Sequence, residues 1–296
     1  MIFVTQALIC CCDVQTKVRV TKIRKIFPLN IILARISLSK SYIHHNLSFG
    51  EFFTMKTIIF ALLLSFTFIA SKPAETSPVS GAWQGKDAQG NTMTMICSNN
   101  YLMFGVYDLA NKKYMKSGGG TYQISDVGGK KIFSYKREFN TEDSTVVGLT
   151  VANLVTVNNN DLSLTDGPLA GTWKRMDETK SPKTMATAWR IRARENKEFK
   201  METMLKGSRK TLKILSGSRF QWAAFNTDTH QFFGTGGGNY MVKDGKYTEN
   251  IEFFSRDNNR VGGKLTFDCV LNGKDWTHAG QSTTGVRVHE IWEREE

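Results

Sequence analysis

The sequence predicts an all-β protein of two tandem eight-stranded antiparallel up-and-down barrels. Three observations predict it: an internal repeat with a period near 118 residues, short alternating segments rich in aromatic and β-branched residues, and no long helical pattern within either copy. In the repeat, "NYLMFGVYDLANKKYMKSGGGTYQISD" (100–126) aligns without gaps to "SRFQWAAFNTDTHQFFGTGGGNYMVKD" (218–244), pairing Phe104 with Trp222, Tyr107 with Phe225 and Tyr122 with Tyr240. Further on, "VVGLTV" (146–151) meets "VGGKLT" (261–266) after a small shift, and "GTWKRMDE" (171–178) matches "HEIWEREE" (289–296). A period of this length far exceeds a solenoid unit, so each copy is a whole domain, 79–178 and 183–296.

In the second copy the expected strands fall near 187–194, 210–216, 219–226, 230–241, 246–254, 262–270, 275–283 and 286–293. Turn signals such as "NTDT", "KDG", "SRDNN" and "LNGKD" separate many of them. Eight meandering strands suit a closed barrel, with a two-sheet sandwich as the alternative. Residues 195–207, "ENKEFKMETMLKG", read as a short helix or a long lid-like loop. The glycine runs Gly118, Gly119, Gly120 and Gly236, Gly237, Gly238 fall inside the fourth strand of each copy. Neither satisfies a phosphate-loop or dinucleotide fingerprint opening a helix. Glycine within a strand marks instead a bulge, a barrel corner or a close backbone approach, so these six are structural.

Charge and hydropathy set the front end apart. The formal net charge is +12, but residues 1–54 hold seven Lys/Arg against Asp13 and Glu51, and residues 71–296 carry 31 basic and 25 acidic groups. That mildly basic surface lacks the dense cluster of a dedicated nucleic-acid binder. From Met55 the chain reads "MKTIIFALLLSFTFIASKPAETSP", the layout of a signal peptide over 55–71. Residues 1–54 then read as a misassigned upstream start or a disordered extension; the alternative is a cytoplasmic segment followed by an uncleaved anchor. The expected address is export, to the periplasm or the medium, with no integral membrane span in the mature chain. Cys97 and Cys269 remain after the leader, as one disulfide or, since they occupy non-equivalent places, as two buried thiols. His230, His278 and His289 show no metal-ligand spacing, and neither a metal nor another cofactor is expected.

"GAWQGKD" (81–87) resembles the Gly-x-Trp start of lipocalin-type barrels, in which an early tryptophan is covered by an arginine from the last strand. The resemblance implies that Arg175 covers Trp83 and Arg294 covers Trp189. The run from "LKILSGSRFQWAAF" through "GTGGGNY", "YTENIEFF" and "VGGKLTF" to "HEIWER" is similar to an uncharacterised lipocalin-like domain family of exported Bacteroidetes proteins. It covers 183–296 well and 79–178 more loosely, where "IFSYKRE" replaces "YTENIE"; the second copy departs with "TAW" in place of Gly-x-Trp. The resemblance implies a barrel for a small, largely apolar ligand and supplies no activity.

Period two places Tyr247, Ile251 and Phe253 inward, and with them Glu249, a carboxylate among aromatics that needs a partner. Arg294 shares a face with Glu290 and Trp292 and is the candidate partner. The candidate ligand-binding set is therefore Glu249, Phe220, Trp222, Tyr240, Trp292 and Arg294. His278 and His289 lie near expected strand ends, where exposure is the expectation. No nucleophile elbow, metal motif or diagnostic carboxylate pair is present, so no catalytic residue is assigned. The leading reading is an exported non-catalytic binding protein; the alternatives are an envelope structural or interaction protein with side-chain-filled barrels, and an enzyme using interior acid/base groups.

Overall fold

The computed structural model describes residues 77–176, 178–179 and 181–295. The upstream extension 1–54 and the leader 55–71 lie outside the described residues. Among the described residues no helix is long and apolar enough to cross a membrane.

The first eight strands are β1 (Gly81–Lys86), β2 (Thr92–Ser98), β3 (Tyr101–Asp108), β4 (Lys113–Val127), β5 (Lys130–Asn140), β6 (Thr150–Asn158), β7 (Asp161–Leu164) and β8 (Gly171–Arg175). They run antiparallel in chain order and close through β1 and β8, where Trp83 faces Arg175. The second barrel comprises β9 (Ala188–Glu195), β10 (Met201–Thr203), β11 (Arg209–Leu215), β12 (Arg219–Asn226), β13 (Phe232–Lys243), β14 (Lys246–Phe254), β15 (Lys264–Asn272), β16 (Asp275–Gln281) and β17 (Arg287–Arg294). It closes through β9 and β17, with Arg294 facing Trp189. The tight hairpin turns use the expected chemistry: Gly128–Gly129 and Asp244–Gly245 all have positive φ, as a turn matched to strand twist requires.

Residues 195–207 form no helix. The chain turns at Asn196, whose side chain accepts from the backbone of Glu198 and Lys200, and returns as the exposed strand β10 against the end of β9. With only three residues and no apolar face, β10 has too little sequence pattern to be seen in advance.

Three apolar cores result. One fills barrel 1, around Trp83, Met95, Phe104, Tyr135 and Trp173. Another fills the floor of barrel 2, around Met185, Trp189, Tyr240, Tyr247 and Trp276. The third lies between the barrels, where Ile96, Tyr101, Met103 and Phe139 meet Leu212, Ile214, Ala223 and Phe225. This interface repeats itself. Tyr107 stacks on Phe253 with ring centres 4.9 Å apart, and the positions equivalent to them, Phe225 and Phe139, stack at 4.9 Å. Tyr114 lies 6.2 Å from Phe253, and its counterpart Phe232 lies 6.0 Å from Phe139. The two barrels thus meet about a pseudo-two-fold, each offering the same patch to the other.

The glycine runs make that patch. In the β13–β14 register Gly237 pairs with Phe253 and Gly238 with Ile251, so Glu252 is an extra residue; in β4–β5 the extra residue is Glu138. A Cβ on Gly238 would overlap the Asn250 carbonyl, and one on Gly120 the Lys136 carbonyl. A Cβ on Gly237 would lie 2.6 Å from the Phe253 ring, and one on Gly119 2.8 Å from Phe139. Gly118 and Gly236 lie under the inward rings of Phe104 and of Trp222 and Phe254. The bulge reverses side-chain parity. Phe253, expected inside barrel 2 by simple alternation, therefore points out into the interface, and Phe254 turns in.

The bulge residues carry charge into the interface. Glu252 accepts from Tyr107 Oη at 2.6 Å, pairs with Arg219 and accepts from Asn239 Nδ2 at 2.9 Å. Glu138 pairs with Lys210 at 2.8 Å. Burial alone would raise the Glu252 carboxyl, but the Arg219 and Tyr107 hydrogen bonds outweigh it and hold it low. Between the barrels, the Glu178 carboxylate accepts from the backbone of Ala82 in β1 and of Gly217 in the β11–β12 turn.

Gly238→Ala is expected to lower stability by at least about 2 kcal/mol in urea unfolding, through overlap with backbone that cannot move away. Gly207, with nothing near its Cβ direction, serves as the control for the same substitution.

Candidate functional site

Barrel 2 encloses a chamber of about 280 Å³, open at the end where β11 starts and β14 finishes. Its walls come from inward positions of neighbouring strands. Phe220 and Trp222 are on β12, Glu249, Ile251 and Phe254 on β14, Leu265 and Phe267 on β15, and Val288 and Trp292 on β17. Four of the six residues named from sequence line it: Glu249, Phe220, Trp222 and Trp292.

The other two do not. Tyr240 is buried in the floor beneath the chamber, its hydroxyl donating to the Ser216 carbonyl at 2.5 Å. Arg294 lies at the closed end, 4.9 Å over the Trp189 ring, and donates to the Thr184 carbonyl at 2.8 Å. It sits two residues below Trp292 on β17, too far down the barrel wall to reach Glu249. In barrel 1 the matching Arg175 stands 4.1 Å over Trp83 and donates to the Ser80 carbonyl. Each tryptophan donates its indole N–H to a carbonyl four residues earlier, Val79 or Met185.

The partner of Glu249 is Lys213, whose Nζ lies 2.8 Å from Glu249 Oε1. Lys213 is on β11, directly across from Trp222 on β12, and only 5% of it is exposed. Its ammonium also stands within 6 Å of the rings of Phe220, Tyr247, Trp276 and Trp292. Aromatic faces and one carboxylate together replace the water this cation has lost. A lysine at an inward position among Thr211 and Leu215 was the available signal, but lysine in a strand reads first as a solvated residue.

His278 also differs from expectation: it is 3% exposed and lines the chamber. Its ring lies 3.9 Å from that of Phe267, and Nδ1 is 3.5 Å from Glu290 Oε2, while neither ring nitrogen has a hydrogen-bond partner among the described residues. Burial, reinforced by the nearby Lys213 charge, lowers the His278 pKa despite the two carboxylates, so the ring is neutral at neutral pH. Burial would raise the Glu290 carboxyl, but in the acid range, once His278 takes up its proton, that charge and those of Arg194 and Lys213 outweigh it and hold Glu290 at about 2. Arg194 binds Glu290 through Nε at 3.0 Å and Nη2 at 2.7 Å, and Trp292 Nε1 donates to it at 3.1 Å. His289 is half-buried outside this cluster, 2.9 Å from Glu195.

No bond joins Glu249 to His278, and neither group has a nucleophile poised beside it among the described residues. There, too, no group of three His, Cys, Asp or Glu side chains is arranged to hold a metal. Cys97 is a buried free thiol and Cys269 a half-buried one.

Barrel 1 has a different interior. The register equivalents of Lys213 and Glu249 are Met95 and Tyr135, and His278 corresponds to Leu164. All three belong to a packed apolar core.

Both barrels have the closed, up-and-down antiparallel form of lipocalin-like proteins. No family profile and no curated protein matches the chain. One solved structure, described as a lipocalin-like protein from Bacteroides uniformis, aligns with 16% identity over 38% of this chain and 98% of its own, with a TM-score of 0.28. A likeness of that degree bears on neither the site nor the function.

Two outcomes follow from the buried charges. Lys213→Met, which strands Glu249, is expected to cost about 3–5 kcal/mol in urea unfolding, and adding Glu249→Leu is expected to restore most of it. Stability is also expected to fall on acidification. The unfolded chain protonates His278 near 6.5 while the folded ring resists, and the contribution of Glu290 is lost between about 4.5 and 2. Urea midpoints measured from neutral pH downward should show both losses, with His278→Phe flattening the first window and Glu290→Gln the second.

Proposed function

We propose that the chain is an exported, non-catalytic binding protein that holds one small, largely apolar molecule in barrel 2, with barrel 1 as its scaffold. The observation that carries this reading is the contrast of interiors: a chamber of about 280 Å³ in barrel 2, against the packed core of barrel 1. The middle walls of the chamber, Trp222, Ile251, Leu265 and Phe267, are apolar, and two ion pairs in the lining, Lys213 with Glu249 and Arg194 with Glu290, fix charged groups beside them, a combination of apolar wall and positioned polar groups found in small-molecule sites. Export rests on the leader composition at 55–71. An enzyme has less support, because Glu249 is bound to Lys213 rather than to His278 and, among the described residues, no nucleophile is poised beside either group. A role through surface interactions alone fits the filled interior of barrel 1 but leaves the chamber of barrel 2 without use.

Val288 lines the upper wall, so Val288→Trp fills the chamber without touching its ion pairs. Native mass spectra of the exported protein are expected to show a discrete added mass, or one-to-one uptake of N-phenyl-1-naphthylamine or 8-anilinonaphthalene-1-sulfonate. Val288→Trp is expected to abolish either while unfolding at an unchanged urea midpoint. A bare wild-type mass with uptake of neither probe overturns the reading.

A further inference from the structure

Resting on the reading of barrel 2 as a binding chamber, we propose that its ligand is an anion: an apolar body inside the barrel and a carboxylate, sulfonate or phosphate head held between Arg209 and Arg256 at the mouth. The charge around the chamber is lopsided, with five cationic side chains in its lining against Glu249 and Glu290. Three of the cations are answered: Lys213 by Glu249, Arg194 by Glu290, and Arg260 by Asp257 at 3.3 Å. Among the described residues no carboxylate answers Arg209 or Arg256.

These two arginines are exposed at the rim, but they are not loose. Phe233, on β13, anchors both: the Arg209 guanidinium lies 3.5 Å over its ring, and its carbonyl accepts from Arg256 Nε at 2.8 Å. Arg256 also lies 5.5 Å over Trp222, inside the chamber wall. The absence of a side chain at Gly234 makes room for it, since a Cβ there would overlap the guanidinium. The Nη groups of Arg256 and all the N–H groups of Arg209 are left without a protein acceptor among the described residues.

The cluster is electrostatically unfavourable when empty. Burial, then the neighbouring Arg256 and Arg194 charges, lowers the Arg209 pKa. An anionic head relieves that repulsion and accepts from planar, fork-shaped donors suited to such oxygens. Deeper in the barrel the charges are already paired, so the lower chamber offers the head no free cation. The middle walls, Trp222, Ile251, Leu265 and Phe267, suit an apolar body. The low-dielectric walls and the net positive lining also focus the field outward and draw anions to the mouth.

The test uses a matched pair of probes. 8-anilinonaphthalene-1-sulfonate and N-phenyl-1-naphthylamine share an aromatic frame and differ by one sulfonate. The full chain is expected to bind the sulfonate probe one-to-one and at least roughly tenfold more tightly, the scale of one charge-assisted hydrogen bond. The preference is expected to shrink as salt is raised. Arg209→Gln with Arg256→Gln is expected to weaken sulfonate binding by roughly tenfold or more while leaving the neutral probe unchanged. Both side chains are exposed, so the urea midpoint should hold; a single Arg209→Gln serves if the pair does not fold. Equal affinity for the two probes, or indifference of the sulfonate probe to the arginine substitutions, overturns the anion assignment and leaves the chamber reading standing. Uptake of neither probe sinks both. Cosedimentation with phosphatidylglycerol vesicles without sulfonate-probe uptake also overturns the proposal, by assigning the arginines to a membrane surface.

Discussion

At one point in each barrel two strands approach so closely that only glycine fits between them, and much of the molecule is arranged around that approach. Gly238 against Asn250, and Gly120 against Lys136, admit one extra residue into the opposite strand. The extra residue reverses the alternation that follows it. On β14 this sends Phe253 outward to stack on Tyr107, and Phe254 inward to meet Trp222 with ring centres 5.6 Å apart. A single bulge therefore supplies an anchor of the inter-barrel interface and a wall of the chamber. It also places the displaced carboxylate, Glu252, where Arg219 and Tyr107 can satisfy it.

The interiors show how one backbone plan accommodates opposite chemistries. Met95 and Tyr135 fill barrel 1 by dispersion and area burial, with no desolvated charge to compensate. Lys213 and Glu249 at the same positions cost several kcal/mol of hydration each, and their mutual attraction returns it only because the geometry is close and aromatic faces surround the ammonium. Replacing side chains that could fill the barrel by two that must be held apart from the apolar wall is a poor way to gain stability. It is a reasonable way to fix polar groups at the bottom of a cavity, since each is tied to a partner on another strand and cannot turn away. His278 belongs to the same arrangement: neutral, enclosed by Phe267, Tyr247 and Trp276, and facing the empty space.

The eight strands that close each barrel, and their order, were legible in the sequence because they depend on local pattern: alternation, aromatic and β-branched content, and turn residues such as Asp244–Gly245; the short β10 was not. The inward direction of Glu249 was legible for the same reason, by parity with Tyr247. What failed was parity carried past an irregularity. "YTENIEFF" alternates without a visible break, and only the glycines on the facing strand signal that Phe253 lies beyond a bulge. The partner of Glu249 was not legible because it depends on where two distant strands come level across a barrel. Arg294 has the right parity and the wrong height; Lys213 has both, but carries no mark that separates it from an exposed strand lysine. Tyr240 has inward parity and lies one layer too deep. The rim arginines were passed over because Arg209 and Arg256 stand just at or beyond strand ends, where alternation no longer says anything.

The pseudo-two-fold contact between the barrels has the form of a homodimer interface, yet it is made within one chain. Two separate barrels joining through this patch would have to offset the loss of independent translation and tumbling, of order 4–15 kcal/mol. Joined by a short connection, they meet at a high effective concentration, and the same patch holds at far lower cost. Covalent linkage also removes a restriction that symmetry imposes on dimers, in which every substitution occurs in both subunits at once. Here the surfaces that meet have kept matching rings at matching places while the interiors have parted, one closed with Met95 and Leu164, the other held open around Lys213 and His278. The tether lets a symmetric joint carry two unlike interiors.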